Sequence, residues 1–486
     1  MQNFENSSNL ALLTDFYQLT MMQGYFFLKP HEVAVFDMYY RKNPCGGGYA
    51  IFCGMSEVVD YIENLHFSSD DIEYLRSLGS FKEEFLTYLE NFKFSGEIYA
   101  VDEGEVVFPH EPLIRVKANI IEAQLIETAI LNTINFQTLI ATKSSRINFS
   151  AGEGSVMEFG LRRAQDKSAA IFGAKAAIIG GCVATSNVLA AKIFDIPAIG
   201  THSHAWIGSF PSEIEAFRAY AKIYPDSALL LVDTYDTLNS GVPNAIKVFE
   251  ELREQGHKPL GIRIDSGDLE YLTKQSRKML DNAGFKDAKI TASNDLDEYA
   301  IDQLKLFDAK IDSWGIGTRL ITGGDSSSLG GVYKLSGIEK EGEILPKIKI
   351  SNDPRKINNP GYKQFFRLYD KDSGMALADL ITLENESIDE GAPLEIFHPL
   401  YTYKRKKLEN FSAKAMLKPV FVHGKFVGEK KSVMQIAEFS RKAKAKFWCE
   451  YLRNIHPQTY KVDLSAKLWE TRKSLIDEIN ANLGKS

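Results

Sequence analysis

One unit recurs from about residue 150 onward: a short apolar run, a break at polar residues or glycine, and usually a helical pattern. The runs are SVMEF before GLRRAQD, AAIIG before GCVATSN, PAIG before THSH, and ALLLVD before TYDT. GIRI before DSGD, AKITA before SNDLD and SWGIG before TRLITGG complete the series. Short apolar runs without alternation fit strands buried on both faces, as in parallel sheets. Seven units at spacings of roughly 20 to 35 residues predict a parallel barrel of alternating strands and helices. Several helices are marked at their ends. Asp268 can cap one that runs to Asn282 with Gly284 beyond it, and Gly256 follows the helix after Pro243. In such a barrel the polar strand ends open at one mouth. The pattern gathers Arg162, Arg163, Thr185, Thr201, His204, Asp233, Arg263, Asp265, Asp295 and Thr318 there.

The third unit ends in GTHSHAWIGSF, Gly200 to Phe210, which places Thr201, His202 and His204 where the backbone leaves an apolar run ending at Ile199. Beyond it SEIEAFRAYAKIY reads as a helix, with Ser212 and Glu215 spaced as a capping box. A His-x-His at a strand end suits a metal-dependent hydrolase only if other strand ends add ligands. The other histidines (His31, His66, His110, His257, His398, His423, His456) fall at none of them, so no protein-held metal centre is expected. What the mouth offers is suited to phosphate. Arg162, Arg163 and Arg263 are forked donors for anions. Gly315, Gly317, Gly323 and Gly324 let backbone N–H groups approach an anion, and Thr318 adds a hydroxyl. Asp265 and Asp295 suit ribose hydroxyls or a Mg²⁺ carried in by a diphosphate. The expected substrate is small, anionic and phosphorylated.

The flanks read differently. Ala11 to Phe27 has helical spacing, with Thr14 or Asp15 as cap and Tyr17 in the first turn. Gly46 to Gly48 form a glycine loop that lacks the lysine and hydroxyl of a Walker motif. Phe94 to Val116 alternates as a small antiparallel sheet, and Ile120 to Ile147 reads as one long apolar helix. Near the other end Leu417 to Val427, with a His-Gly turn, reads as a hairpin that could complete that first sheet. The expected division is an α+β domain over 1–147, a barrel over 148–346, and a segment 347–486 that completes the smaller domain. The Lys/Arg run at Lys404 to Lys407 reads as a solvated face. A net charge of −7 speaks against general nucleic-acid binding. No run reaches membrane-span length, the start lacks a signal peptide, and Cys45, Cys53, Cys182 and Cys449 show no metal-ligand spacing. A cytoplasmic protein with reduced thiols, binding neither membrane nor nucleic acid, is expected.

Seven motifs in order then resemble the nicotinate phosphoribosyltransferase family: TDFYQLTM at Thr14, FGLRRAQ at Phe159, ATSNVLA at Ala184, GTHSHAW at Gly200, IRIDSGDL at Ile262, SNDLDEY at Ser293 and GIGT at Gly315. The resemblance implies an irregular α/β barrel of the type II phosphoribosyltransferase kind, plus a smaller α/β domain built from both chain ends. It implies that nicotinate and 5-phosphoribosyl 1-diphosphate become nicotinate mononucleotide and diphosphate in NAD salvage, with ATP as co-substrate and Mg²⁺ beside the diphosphate. His204 matches the histidine that is phosphorylated, and His202 stays open as the alternative acceptor. Thr201 and Arg263 match nicotinate contacts, with Arg162 a second anion contact. Tyr17, supplied across a homodimer interface, and Phe159 match the two walls of the pyridine site. Gly317 and Thr318 match the 5′-phosphate loop, and Asp265 and Asp295 face ribose and diphosphate. Enzymes of similar fold that use nicotinamide carry an acidic residue where Ser186 stands, and a carboxylate substrate would be repelled by one. Nicotinate is therefore expected, with nicotinamide as the alternative. A non-catalytic binder of NAD metabolites is the alternative from another class, and His204, Arg263 and Asp265 together argue against it.

Overall fold

A computed structural model describes residues 9–353 and 356–484. The first helix, Phe16–Leu28, starts where Asp15 and Gln18 close a capping box. It lies by a seven-stranded antiparallel sheet assembled from distant parts of the chain. Val33–Tyr40, Glu97–Ala100 and Ile114–Asn119 form its middle. Gly331–Lys340 and Glu343–Pro346 extend one side, although the sequence pattern grouped them with the barrel. The expected hairpin, Lys418–Val422 and Lys425–Phe426, closes the other side. His423 and Gly424 turn it at φ 50° and 71°, which suits the twist of a two-residue hairpin. The rest of the C-terminal segment builds a six-stranded sheet of its own, with Lys363–Asp370 and Ala376–Leu383 among its strands. Arg367, fully buried, joins that sheet to the N-terminal part. It donates to Asp379 at 2.7 Å and to Glu105 at 2.9 Å, so neither the cation nor the carboxylates are left unpaired.

The long helix predicted for Ile120 to Ile147 is two helices, Ile120–Leu125 and Glu127–Ala151, broken at Ile126. The second carries Lys143 and Arg146 into the interior, where both reach the buried Glu298 of the barrel helix Glu298–Leu306, at 2.5 and 2.9 Å. This locks the barrel to the N-terminal domain.

The barrel sheet has six parallel strands in the order Ala184–Thr185, Ser155–Glu158, Ser313–Ile316, Lys289–Asn294, Gly261–Ile264 and Leu229–Leu231. It is an irregular α/β barrel. Two of the predicted runs differ. AAIIG is the end of the helix Lys167–Gly180, which Asp166 caps and Gly181 ends. An apolar run within an alanine-rich stretch is as compatible with a buried helix as with a strand. PAIG makes only a single bridge, Thr185 to Ala198, flanked by Thr185 N–H to Pro197 and Ile199 N–H to Thr185. GLRRAQD, the polar break after SVMEF, holds one tight turn, Leu161–Arg163.

Between that bridge and Leu229–Leu231 the ladder is continued by side chains. Thr201 Oγ1 donates to the Leu229 carbonyl at 2.8 Å, and the Leu231 N–H donates to His202 Nε2 at 3.2 Å. Backbone groups that a seventh strand would have satisfied thus find partners in the Gly200–Phe210 loop. Asp268 and Ser212 cap their helices as the sequence suggests, accepting from the N–H groups of Tyr271 and Glu215. No helix among the described residues is long and apolar enough to cross a membrane.

Candidate active site

The strand ends bring most of the predicted residues into one mouth. On one side Glu158, fully buried, accepts from Thr185 Oγ1 at 2.5 Å and from the Gly160 N–H, while burial pushes its pKa up. The next residue, Phe159, is tied to the neighbouring strand by its N–H, which donates to the Ile316 carbonyl at 2.7 Å. Its ring lies across Gly315, where a Cβ would stand 2.5 Å from Phe159 Cε2. Only glycine leaves room for that aromatic wall. Arg162 and Arg163 follow, exposed, in the turn Leu161–Arg163.

Opposite them Gly261–Ile264 presents Arg263, with its Nε buried and unpartnered. Burial lowers the Arg263 pKa, against the pull of Asp265 and Asp233, and the Arg162 charge lowers it further. Two cations thus share this part of the mouth, which favours an incoming anion. Asp265 is held by its neighbours. Its N–H donates to Asp233 Oδ2 at 2.9 Å, and Ser293 Oγ donates to its Oδ1 at 2.5 Å. Its other oxygen stands 4.0 Å from His204 Nε2.

His204 is the first residue of the short helix His204–Gly208, and its Nδ1 is 3.1 Å from Thr234 Oγ1. Its side chain is 45% exposed, so Nε2 is open to the mouth. His202 points the other way. It is buried, packs edge-on against Tyr220 at 4.7 Å, and spends Nε2 on the barrel wall. Burial brings its pKa down to about 4, so it is a neutral ring at pH 7. The His-x-His pair is therefore split by its own backbone.

Asp295 follows Asn294, whose φ of 153° is rare for a residue with a side chain, and lies 3.8 Å from Arg319. Gly317 and the exposed Thr318 begin the turn after Ser313–Ile316, and the Thr318 hydroxyl has no partner among the described residues. Tyr17 stands apart. It is 49% exposed on the first helix, and among the described residues no hydrogen bond, ion pair or ring contact joins it to the mouth. Thr234, Ser293 and Glu158 were not singled out from sequence. Thr234 adjoins Asp233 at a predicted strand end and Ser293 opens SNDLD. Their hydrogen-bonding roles depend on strand register, which the spacing does not reveal.

Fold and mouth together define a phosphoribosyltransferase of the barrel type. The chain superposes on the crystal structure of human nicotinic acid phosphoribosyltransferase with a TM-score of 0.84 and 26% identity, over 95% of this chain and 99% of that one. A nicotinate-nucleotide pyrophosphorylase from Pyrococcus furiosus shares the fold at a TM-score of 0.70 and 21% identity, over 92% and 99%. Profiles for the nicotinate phosphoribosyltransferase N-terminal domain, the nicotinate phosphoribosyltransferase family and its C-terminal domain match residues 12–135, 155–358 and 362–472. The nicotinate phosphoribosyltransferase of Bacillus subtilis is 44% identical over 98% of this chain and 97% of its own length. The Homo sapiens enzyme is 30% identical over 80% and 82%. The chain belongs to the nicotinate phosphoribosyltransferase family.

Proposed function

We propose that this enzyme, in joining nicotinate and 5-phosphoribosyl 1-diphosphate to nicotinate mononucleotide and diphosphate for NAD salvage, couples the reaction to ATP hydrolysis through His204. The observation that carries the coupling is the setting of that ring: Nδ1 engaged by Thr234, Nε2 open to the mouth and 4.0 Å from Asp265. An imidazole whose Nδ1–H donates to a hydroxyl presents its Nε2 lone pair as nucleophile. Attack on the γ-phosphorus of ATP forms the N–P bond as the bond to ADP oxygen breaks, and hydrolysis later returns phosphate and the free ring. His202 is a poor acceptor because its Nε2 already takes the Leu231 N–H.

Nicotinate fits between Phe159 and a second ring, its carboxylate drawn to Arg263, with Arg162 beside it and Thr201 at the loop. Gly317 and Thr318 receive the 5′-phosphate, and Asp265 and Asp295 face ribose and diphosphate. Mg²⁺ suits this donor set. The unpartnered Asp233 Oδ1 and the Asp265 carboxylate are hard oxygen ligands, enough for an ion that keeps most of its coordination from phosphate and water. Bound with the diphosphate, it would neutralise the leaving group. The chain's own residues orient the ring nitrogen toward the anomeric carbon, which passes through an oxocarbenium-like state as in glycoside cleavage.

The second ring is Tyr17 from another copy of the chain, in a homodimer. Leu13, Phe16, Tyr17 and Met21 are 39%, 52%, 49% and 37% exposed at the start of the first helix. Such an apolar stripe is out of place facing water. Product formation from nicotinate and from nicotinamide, each with and without ATP, tests the reading. Faster formation of nicotinate mononucleotide with ATP is expected. A rate indifferent to ATP would end the coupling proposal, and preference for nicotinamide would end the substrate assignment.

A further inference from the structure

A cleft of about 680 Å³ lies outside the barrel mouth, between the N-terminal part of the chain and the sheet of the C-terminal segment. That volume is in the range of small-molecule sites. None of the residues assigned to the mouth, and not Tyr17, lines it. His110, His398, Tyr401, Lys404, Tyr460 and Arg472 do.

Arg472 is the unusual member. It sits on the helix Ala466–Asn482, is only 8% exposed, and its Nε is buried without a hydrogen-bond partner. No carboxylate pairs with it among the described residues, and burial lowers its pKa with only the Tyr39 phenol opposing. A buried, uncompensated guanidinium is costly to keep unless something binds it. The Tyr39 hydroxyl is buried, with the Arg41 guanidinium beside it. His110 holds φ at 73°, a strained value for a residue with a side chain, and feels the charges of both Arg472 and Arg41. Tyr39 and His110 also line a smaller pocket that shares His110, Ile357 and Asn359 with the cleft.

The rest of the cleft is made for a flat group. Tyr401 is half exposed, with its ring 4.9 Å from that of His398, and Lys404 Nζ lies 4.9 Å from the centre of the Tyr401 ring. Lys461, also in the lining, is already neutralised by Asp463 at 2.9 Å. The unspent charge is therefore that of Arg472 and Lys404, with donors at one side and planar rings at the other.

We propose that this cleft is a second ligand site, which takes a nucleoside phosphate with its phosphate on Arg472 and its base against Tyr401. Both an adenine nucleotide and a pyridine nucleotide have this chemistry, and the test separates them. AMP, nicotinate mononucleotide and inorganic phosphate are titrated calorimetrically into full-length protein carrying Arg263→Gln, which weakens the mouth. One site per chain for a nucleoside phosphate is expected to remain. Adding Arg472→Met should weaken it by about tenfold or more, the usual loss for a charge-assisted contact. Lys404→Glu, at an exposed position, should weaken it too, and decides the matter if the Arg472 variant does not fold. The tighter of the two nucleotides identifies the source. Absence of the site, its survival in the Lys404 variant or a folded Arg472 variant, or equal affinity for inorganic phosphate would overturn the proposal.

Discussion

Two histidines two residues apart have been given different work by the direction of their side chains. His204→Ala is expected to remove phosphate labelling from ATP and the ATP stimulation of product formation, while leaving the fold intact. Label that persists on the His204→Ala protein would refute the assignment. His202→Ala strands the Leu231 N–H inside the barrel wall, at a cost of about 1–3 kcal/mol. Denaturant unfolding should show that loss, with the label still formed on the folded fraction. His202 also sets a pH dependence. Its pKa falls from 6.5 to about 4 on folding, so below 6.5 the unfolded chain binds a proton that the native ring refuses. Its contribution is complete above pH 6.5 and is lost as pH falls toward 4, at most about 3 kcal/mol. Unfolding free energies at pH 7 and pH 5 should differ less in a His202→Gln protein than in the parent.

Among the elements, what could be read from sequence was local. The caps at Asp268 and Ser212, the hairpin around His423, and the strand ends that carry Arg263 and Asp265 depend on residues close in sequence, and the structure has them. What could not be read depends on distant partners. AAIIG becomes helix because Asp166 caps a turn well before it, and PAIG forms almost no ladder because Thr201 and His202 side chains take the neighbouring strand's hydrogen bonds. Gly331–Lys340 follows the barrel in sequence yet pairs with Val33–Tyr40, a register that spacing alone does not encode. The candidate site residues were visible as types, since charge at a strand end is conspicuous. The hydroxyls that hold them, Ser293 and Thr234, were not. Within the strand Ser313–Ile316, Gly315→Ala would press a methyl group into the Phe159 ring. About 1–3 kcal/mol of overpacking should displace that ring. kcat/KM for nicotinate should then fall about tenfold or more, with little change in the affinity for 5-phosphoribosyl 1-diphosphate. Unchanged kinetics would mean that Phe159 does not contact the substrate.

For the whole molecule, the proposed sharing of the site between two chains makes a prediction that no single chain can. Tyr17→Ala and His204→Ala proteins should each be inactive or uncoupled alone, whereas mixing and refolding them together should restore activity, because one site of each mixed dimer then holds both native residues. Failure to complement in verified heterodimers would place Tyr17 outside the partner's mouth. The sheet that carries the N-terminal domain has a consequence of another kind. Its middle strands end at Asn119, its next strand begins at Gly331 and its last hairpin at Lys418, with the barrel strands between. At about 5–20 residues per second, a ribosome needs roughly 10 to 40 seconds to travel from the first of these points to the second. Throughout that interval the nascent chain exposes unpaired edges at Val33–Tyr40 and Glu97–Ala100, the kind of surface that chaperones hold and that aggregates recruit. The barrel, whose strands are synthesised in one stretch, can fold first and wait for its scaffold to close around it.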